Sequence, residues 1–135
     1  MTEKLSIDEA LSMVEEFHNA FGIENGDKPT KQLTAEEVAL RFRLMAEENE
    51  EYKSAAIDND TVEIADALGD MLYILMGTIL KHGMGHIIAP VFREIQASNM
   101  SKLGADGKPI LREDGKVLKG PNYFKPDIES IIKKA

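Results

Sequence analysis

Four glutamates in a run of five residues, Glu47, Glu48, Glu50 and Glu51, are followed along the chain by Glu63, Asp66 and Asp70. If both stretches are helical, Glu47 and Glu48 each meet Glu51 across one turn, and Glu63, Asp66 and Asp70 share a face at i, i+3 and i+7. Two such helices folded together would converge five or six negative charges. Like charges at close range repel, so the pair needs a compensating positive species, and hard oxygen ligands suit Mg²⁺ or Mn²⁺. The plain alternative is a solvated helix face. Against it, neither Glu47 nor Glu48 has a lysine at i+4, and Lys53 is the sole cation between Arg43 and Lys81. Asp66 and Asp70 also lie in the most apolar stretch of the chain, where an unpaired carboxylate is costly to bury.

The opposite charge gathers near the end. Between positions 102 and 125, Lys102, Lys108, Arg112, Lys116, Lys119 and Lys125 face only Asp106, Glu113 and Asp114. A solubilising surface tail would account for this alone. Set beside a cation site, it suggests the second half of a polyphosphate site, in which metal bridges the phosphate oxygens and lysines hold the tail. Ser98, Asn99, Ser101 and Lys102 could form a phosphate clamp or a helix cap. The histidines point less clearly. Glycines divide His82 from His86, and Glu15-x-x-His18 lacks the second copy that a di-iron bundle needs. No glycine pattern builds a Walker loop or a dinucleotide fingerprint, and the absence of cysteine excludes thiol catalysis and zinc–thiolate sites.

Six elements must position these groups. Apolar spacing predicts a first helix over 6–21 capped by Ser6, and Thr34 with Glu37 opens a second that reaches about position 56. Asp60 or Thr61 caps a third that is apolar on nearly every side, which places it centrally or at a subunit interface. A fourth helix runs over 87–100 with Pro90 in its first turn. Asp114-Gly115, between Ile110-Leu111 and Val117-Leu118, predicts a small β-hairpin, and 127–133 a short closing helix. The 135 residues read as a single all-α domain, with a net charge of −8 that disfavours DNA, RNA and anionic membranes. A cytoplasmic location is the default for a chain showing neither a leader-like nor a membrane-length apolar run.

The order Glu47-Glu48-x-x-Glu51, then Glu63-x-x-Asp66-x-x-x-Asp70-Met-Leu-Tyr73, with Ser98-Asn99-x-Ser101-Lys102 and the run from Asp114-Gly115-Lys116 to Tyr123, resembles the all-α nucleoside triphosphate pyrophosphohydrolases. That group includes MazG, the dimeric dUTPases and dCTPases, and phosphoribosyl-ATP pyrophosphohydrolase. The resemblance is strongest to the small MazG-like, dUTPase-related members. It implies a four- to five-helix bundle of the MazG-like type with a small C-terminal hairpin or loop, assembled as a homodimer or homotetramer. It further implies Mg²⁺-dependent cleavage of a nucleoside triphosphate, dUTP or another non-standard dNTP, to the monophosphate and pyrophosphate. On this reading Glu48, Glu51 and Asp70 hold the main metal. Glu47, with Glu63 or Asp66, serves a second metal or orients the attacking water, and Glu47 is the candidate base. Ala67 stands where the family pattern expects a Glu three residues before Asp70, so which of Glu63, Asp66 and Asp70 meets metal is open. Lys102, Lys116, Lys119 and Asn99 would contact phosphates, and Phe17, His18 and Tyr73 the base or sugar. A metal or nucleotide sensor without turnover, or a helical oligomerisation module, are the rival readings.

Overall fold

Most of the helices begin where a side chain takes over the free N–H groups of the first turn. The computed structural model describes residues 3–135, which form α1 (Ile7–Ala20), α2 (Ala35–Ile57), α3 (Thr61–Lys81), α4 (Ile88–Met100) and α5 (Ile128–Lys134). Ser6 accepts from the Glu9 N–H, Asp60 from Glu63 and Asp127 from Ser130, while Thr34 and Glu37 form a reciprocal capping box. Only α4 starts without a side-chain cap, and Pro90 occupies its first turn. The first and third helices are followed by Gly22 and Gly83, at φ +71° and +69°, a region that favours glycine. Among the described residues no helix is long and apolar enough to cross a membrane.

The chain divides into two compact units, Met1–Gly85 and His86–Ala135. In the first, Asp58 and Asn59 turn α2 back antiparallel on α3, and α1 packs on α3. The seam between α2 and α3 is largely polar. Ala55 and Ala67 close it at the turn end, Arg41 and Thr78 lie buried further along, and Lys81 reaches Glu37 at 2.9 Å. Lys81 also donates to the Glu24 carbonyl at 2.6 Å, and the Gly26 N–H donates to the Leu80 carbonyl, so the loop after α1 is fastened over the end of α3. Apolar side chains line the outer faces instead. Leu72 is 58% exposed and Phe42 70%, with Val38, Leu68 and Leu75 also open.

In the second unit α4 packs on α5. Ser98 Oγ donates to the Phe124 carbonyl, the Phe124 N–H donates to Ser101 Oγ, and the Asp127 N–H donates to Glu94. The Asp114-Gly115 turn forms, with Gly115 at φ +87°, but the hairpin around it is a single antiparallel bridge from Leu111 to Val117. Ile110, Leu111, Val117 and Leu118 are all exposed, so the short ladder has no apolar face to bury and does not extend.

Candidate metal centre

The Thr34 cap sets the phase of α2, and from there Glu48 and Glu51 fall one turn apart towards α3. The turn at Asp58–Asp60 brings Asp70 opposite them. One oxygen from each of Glu48, Glu51 and Asp70 lies within 4.8 Å of the others, the one group of this kind among the described residues. Glu48 Oε2 is shut off from solvent and has no hydrogen-bond partner. Burial, then the charges of Glu51, Asp70 and Asp66, push the Glu48 carboxyl above its usual range. An orphaned, enclosed carboxylate oxygen facing two further carboxylates is a donor set that a hard divalent cation fits, since it would satisfy the oxygen and offset the repulsion.

The remaining acids lie around this trio. Glu50, Glu51, Glu63 and Asp66, with Asp58 and Asp60, rim a cavity of about 380 Å³ at the turn end of the seam. Glu47 sits outside the trio, 60% exposed at its side chain and 4.0 Å from Arg43 Nε. Position 67 faces inward, with Ala67 only 2% exposed. Ala67 lines that same cavity, while Asp66 next to it stays open to solvent.

The other candidates fall in separate places. Phe17 and Tyr73 pack edge to face at 5.7 Å, Phe21 stacks on Phe17 at 4.5 Å, and all three rings are exposed. His18 is buried at 3% exposure, and its Nδ1 lies 2.6 Å from Asn25 Oδ1, so the imidazole fastens the post-α1 loop. Asn99, Lys102, Lys116 and Lys119 belong to the second unit, where Lys119 Nζ lies 4.8 Å from the Tyr123 ring centre. The Ser98 and Ser101 hydroxyls are committed to the Phe124 backbone. Asn99 remains exposed beside them. Sequence reasoning missed Arg41, Gly77 and Thr78, a buried polar group in the same seam. The available signal was the seven-residue interval from Arg41 to Glu48, which puts both on one helical stripe.

Residues 14–99, well over half of the chain and including every acid of the metal centre, match the phosphoribosyl-ATP pyrophosphohydrolase family. The chain belongs to this family. Among solved structures it is similar to a putative NTP pyrophosphohydrolase from Exiguobacterium sp. 255-15, at 25% identity and a TM-score of 0.51, over 98% of this chain and 96% of that one. No curated protein matches. The family match runs from Val14 in α1 to Asn99 in α4, so it takes in the α2–α3 pair that carries the carboxylates and stops before the basic loop.

Proposed function

We propose that the protein is a divalent-metal-dependent pyrophosphohydrolase that cleaves a nucleoside triphosphate between its α and β phosphates, giving the monophosphate and pyrophosphate. The observation that carries this is the convergence of Glu48, Glu51 and Asp70 around an unsatisfied Glu48 oxygen, in a chain of this family. These three would hold the main cation, Mg²⁺ or Mn²⁺, with Asp66 or Glu63 serving a second cation or orienting water. When bound, the cation supplies charge neutralisation at the phosphates and acidifies the attacking water. Glu47, exposed and one turn from Glu51, is the proposed base: it takes the proton of water as the hydroxyl joins phosphorus and the α–β bridging P–O bond breaks, parting the monophosphate from pyrophosphate. Residues 86–135 carry nine Lys and Arg against six Asp and Glu, whereas the first 85 carry seven against eighteen. In line with the resemblance, Lys102, Lys116 and Lys119, aided by Asn99, are the proposed phosphate contacts. Phe17 and Tyr73 offer an aromatic platform for the base, with buried His18 fastening the post-α1 loop beside them through Asn25.

The test is a substrate panel with purified protein and Mg²⁺ or Mn²⁺: dUTP, the standard dNTPs and NTPs, and phosphoribosyl-ATP, read as pyrophosphate and monophosphate. The lean to dUTP and other non-standard dNTPs rests on resemblance, and the family's own description adds phosphoribosyl-ATP to the panel. No product from any of them overturns the enzymatic reading. The buried alanine at 67, which leaves the site one carboxylate short of the family pattern, favours a second reading as a nucleotide sensor. Calorimetric binding of a non-hydrolysable nucleotide with Mg²⁺ in a protein without turnover would select it.

We further infer a homodimer or homotetramer. Met45, Leu68, Met71, Leu72 and Leu75 frame an open, almost wholly apolar groove of about 380 Å³ on the outside of the α2–α3 pair. A contiguous apolar face of this kind needs cover, and a second copy of the same pair supplies it.

A further inference from the structure

Arg41 is 7% exposed, and no carboxylate pairs with it among the described residues. A buried cation without a counter-ion is expensive, and burial lowers the pKa of this guanidinium. Its hydrogen bonds go to neutral groups on α3. Nε donates to Thr78 Oγ1 at 3.1 Å, Nη2 donates to the Ile74 carbonyl at 3.0 Å, and the Thr78 hydroxyl donates to that same carbonyl at 2.8 Å. The head is admitted only because residue 77 is glycine: a Cβ there would lie 2.7 Å from Nη2 and 2.9 Å from His18 Nε2.

This clasp adjoins the carboxylate trio on both helices. Arg41 is seven residues before Glu48 on one stripe of α2, about 10 Å along the axis, and Ile74 is one turn beyond Asp70 on α3. An apolar seam tolerates sliding, whereas a closed hydrogen-bonded triangle is satisfied in one register. A one-residue slip of α3 moves Asp70 by about 1.5 Å and rotates it by about 100°. Ligand distances tolerate only about 0.2 Å.

We propose that Arg41 is a positioning residue of the metal centre, clasping α3 through Ile74 and Thr78 in the register that brings Asp70 to Glu48 and Glu51. The proposal rests on the metal-centre reading above, and the metal it is measured with separates the two. Mg²⁺ demands near-ideal octahedral geometry, while Ca²⁺ accepts irregular oxygen cages. Misplacing one carboxylate therefore penalises Mg²⁺ far more than Ca²⁺, whereas general loosening of the fold weakens both alike.

Calorimetric titration of Mg²⁺ and of Ca²⁺ into wild type, Arg41→Met, Arg41→Lys and Gly77→Ala tests this, with circular dichroism reporting folding. Arg41→Met is expected to lose about tenfold in Mg²⁺ affinity, as for groups that orient ligands, and less than about threefold for Ca²⁺. Arg41→Lys recovers part of the loss by keeping a donor for Ile74. Gly77→Ala reproduces the Mg²⁺ loss, since its Cβ would strike the Arg41 head. A folded Arg41→Met protein with wild-type Mg²⁺ affinity, or with equal losses for both ions, overturns the proposal. If Arg41→Met does not fold, Gly77→Ala and Thr78→Val carry the test, and unchanged Mg²⁺ affinity in both overturns it. Wild type that binds neither ion overturns the metal centre itself, and this inference with it.

Discussion

Replacing Glu48 by Gln should reverse the order of stability between metal-free and metal-loaded protein. The carboxyl is pushed above its usual range by burial and by Glu51, Asp70 and Asp66, so ionising it opposes folding. Its stabilising contribution is complete below the ordinary glutamate pKa and is lost as pH rises through the folded value. Glutamine removes that loss. With the oxygens within 4.8 Å, each like-charge pair costs about 0.9 kcal/mol at the dielectric of water. Removing the pairs with Glu51 and Asp70 therefore gains about 1.7 kcal/mol, or roughly 5 °C in melting temperature for a chain of this size. Bound cation reverses the balance: at one hundred times its dissociation constant it stabilises wild type by about 2.7 kcal/mol, and the variant by little. Thermal melts at pH 8 in EDTA and in Mg²⁺ read both terms. Glu48→Gln should melt above wild type in EDTA and below it in Mg²⁺. A variant that melts lower in EDTA, or gains as much from Mg²⁺ as wild type does, would refute the reasoning.

Glu37 is the opposite electrostatic case. The Thr34 N–H and then Lys81 hold its pKa near 2 rather than 4.5, so its contribution is present above pH 4.5 and lost as pH falls towards 2. Glu37→Gln should flatten that acid limb in a pH series of melts, and an unchanged limb would remove Glu37 from the account. Gly83→Ala places a Cβ against the Lys28 carbonyl at a positive φ, and should cost more than about 2 kcal/mol in urea unfolding. A loss under about 0.5 kcal/mol would mean that the loop is not fastened there. Leu72→Lys should reduce the wild-type assembly towards the 15.0 kDa monomer in light scattering; a wild type already monomeric at micromolar concentration would refute the proposed interface. Lys116→Ala should raise KM several-fold with kcat unchanged if that lysine holds ground state and transition state equally, and a pure kcat effect would give it a transition-state role.

What was legible in the sequence was what one helical turn encodes. Ser6 with Glu9, and Thr34 with Glu37, announce helix starts because the partners of a cap are three residues apart. Asp114-Gly115 announced its turn for the same reason. The all-α architecture and the two acidic stretches followed from periodicity. Contacts between distant residues were not legible. Thirty-seven residues separate Arg41 from Thr78, and fifty-seven separate Lys81 from the Glu24 carbonyl, and neither pair carries a local pattern. The basic loop was read correctly as a turn but not as a ladder of one bridge, because whether Ile110 and Val117 find a covering face depends on tertiary packing.

The α2–α3 pair puts its charge inside and much of its oil outside, and one cause accounts for both. A seam built to hold Glu48, Glu51 and Asp70 within reach of one another cannot also be a Leu-rich core, since apolar packing would neither tolerate an orphaned carboxylate nor fix its register. The seam is held instead by paired alanines at one end, the Arg41 clasp further along, and the Lys81–Glu37 bridge beyond it. The apolar side chains displaced from it, Leu68, Leu72 and Leu75 among them, must find cover on the outer face. The proposed cation binding and the proposed self-association therefore trace to the same sequence stretch. A change that loosens the seam enough to let leucines turn inward would weaken both together, whereas a change confined to the outer face would weaken association first.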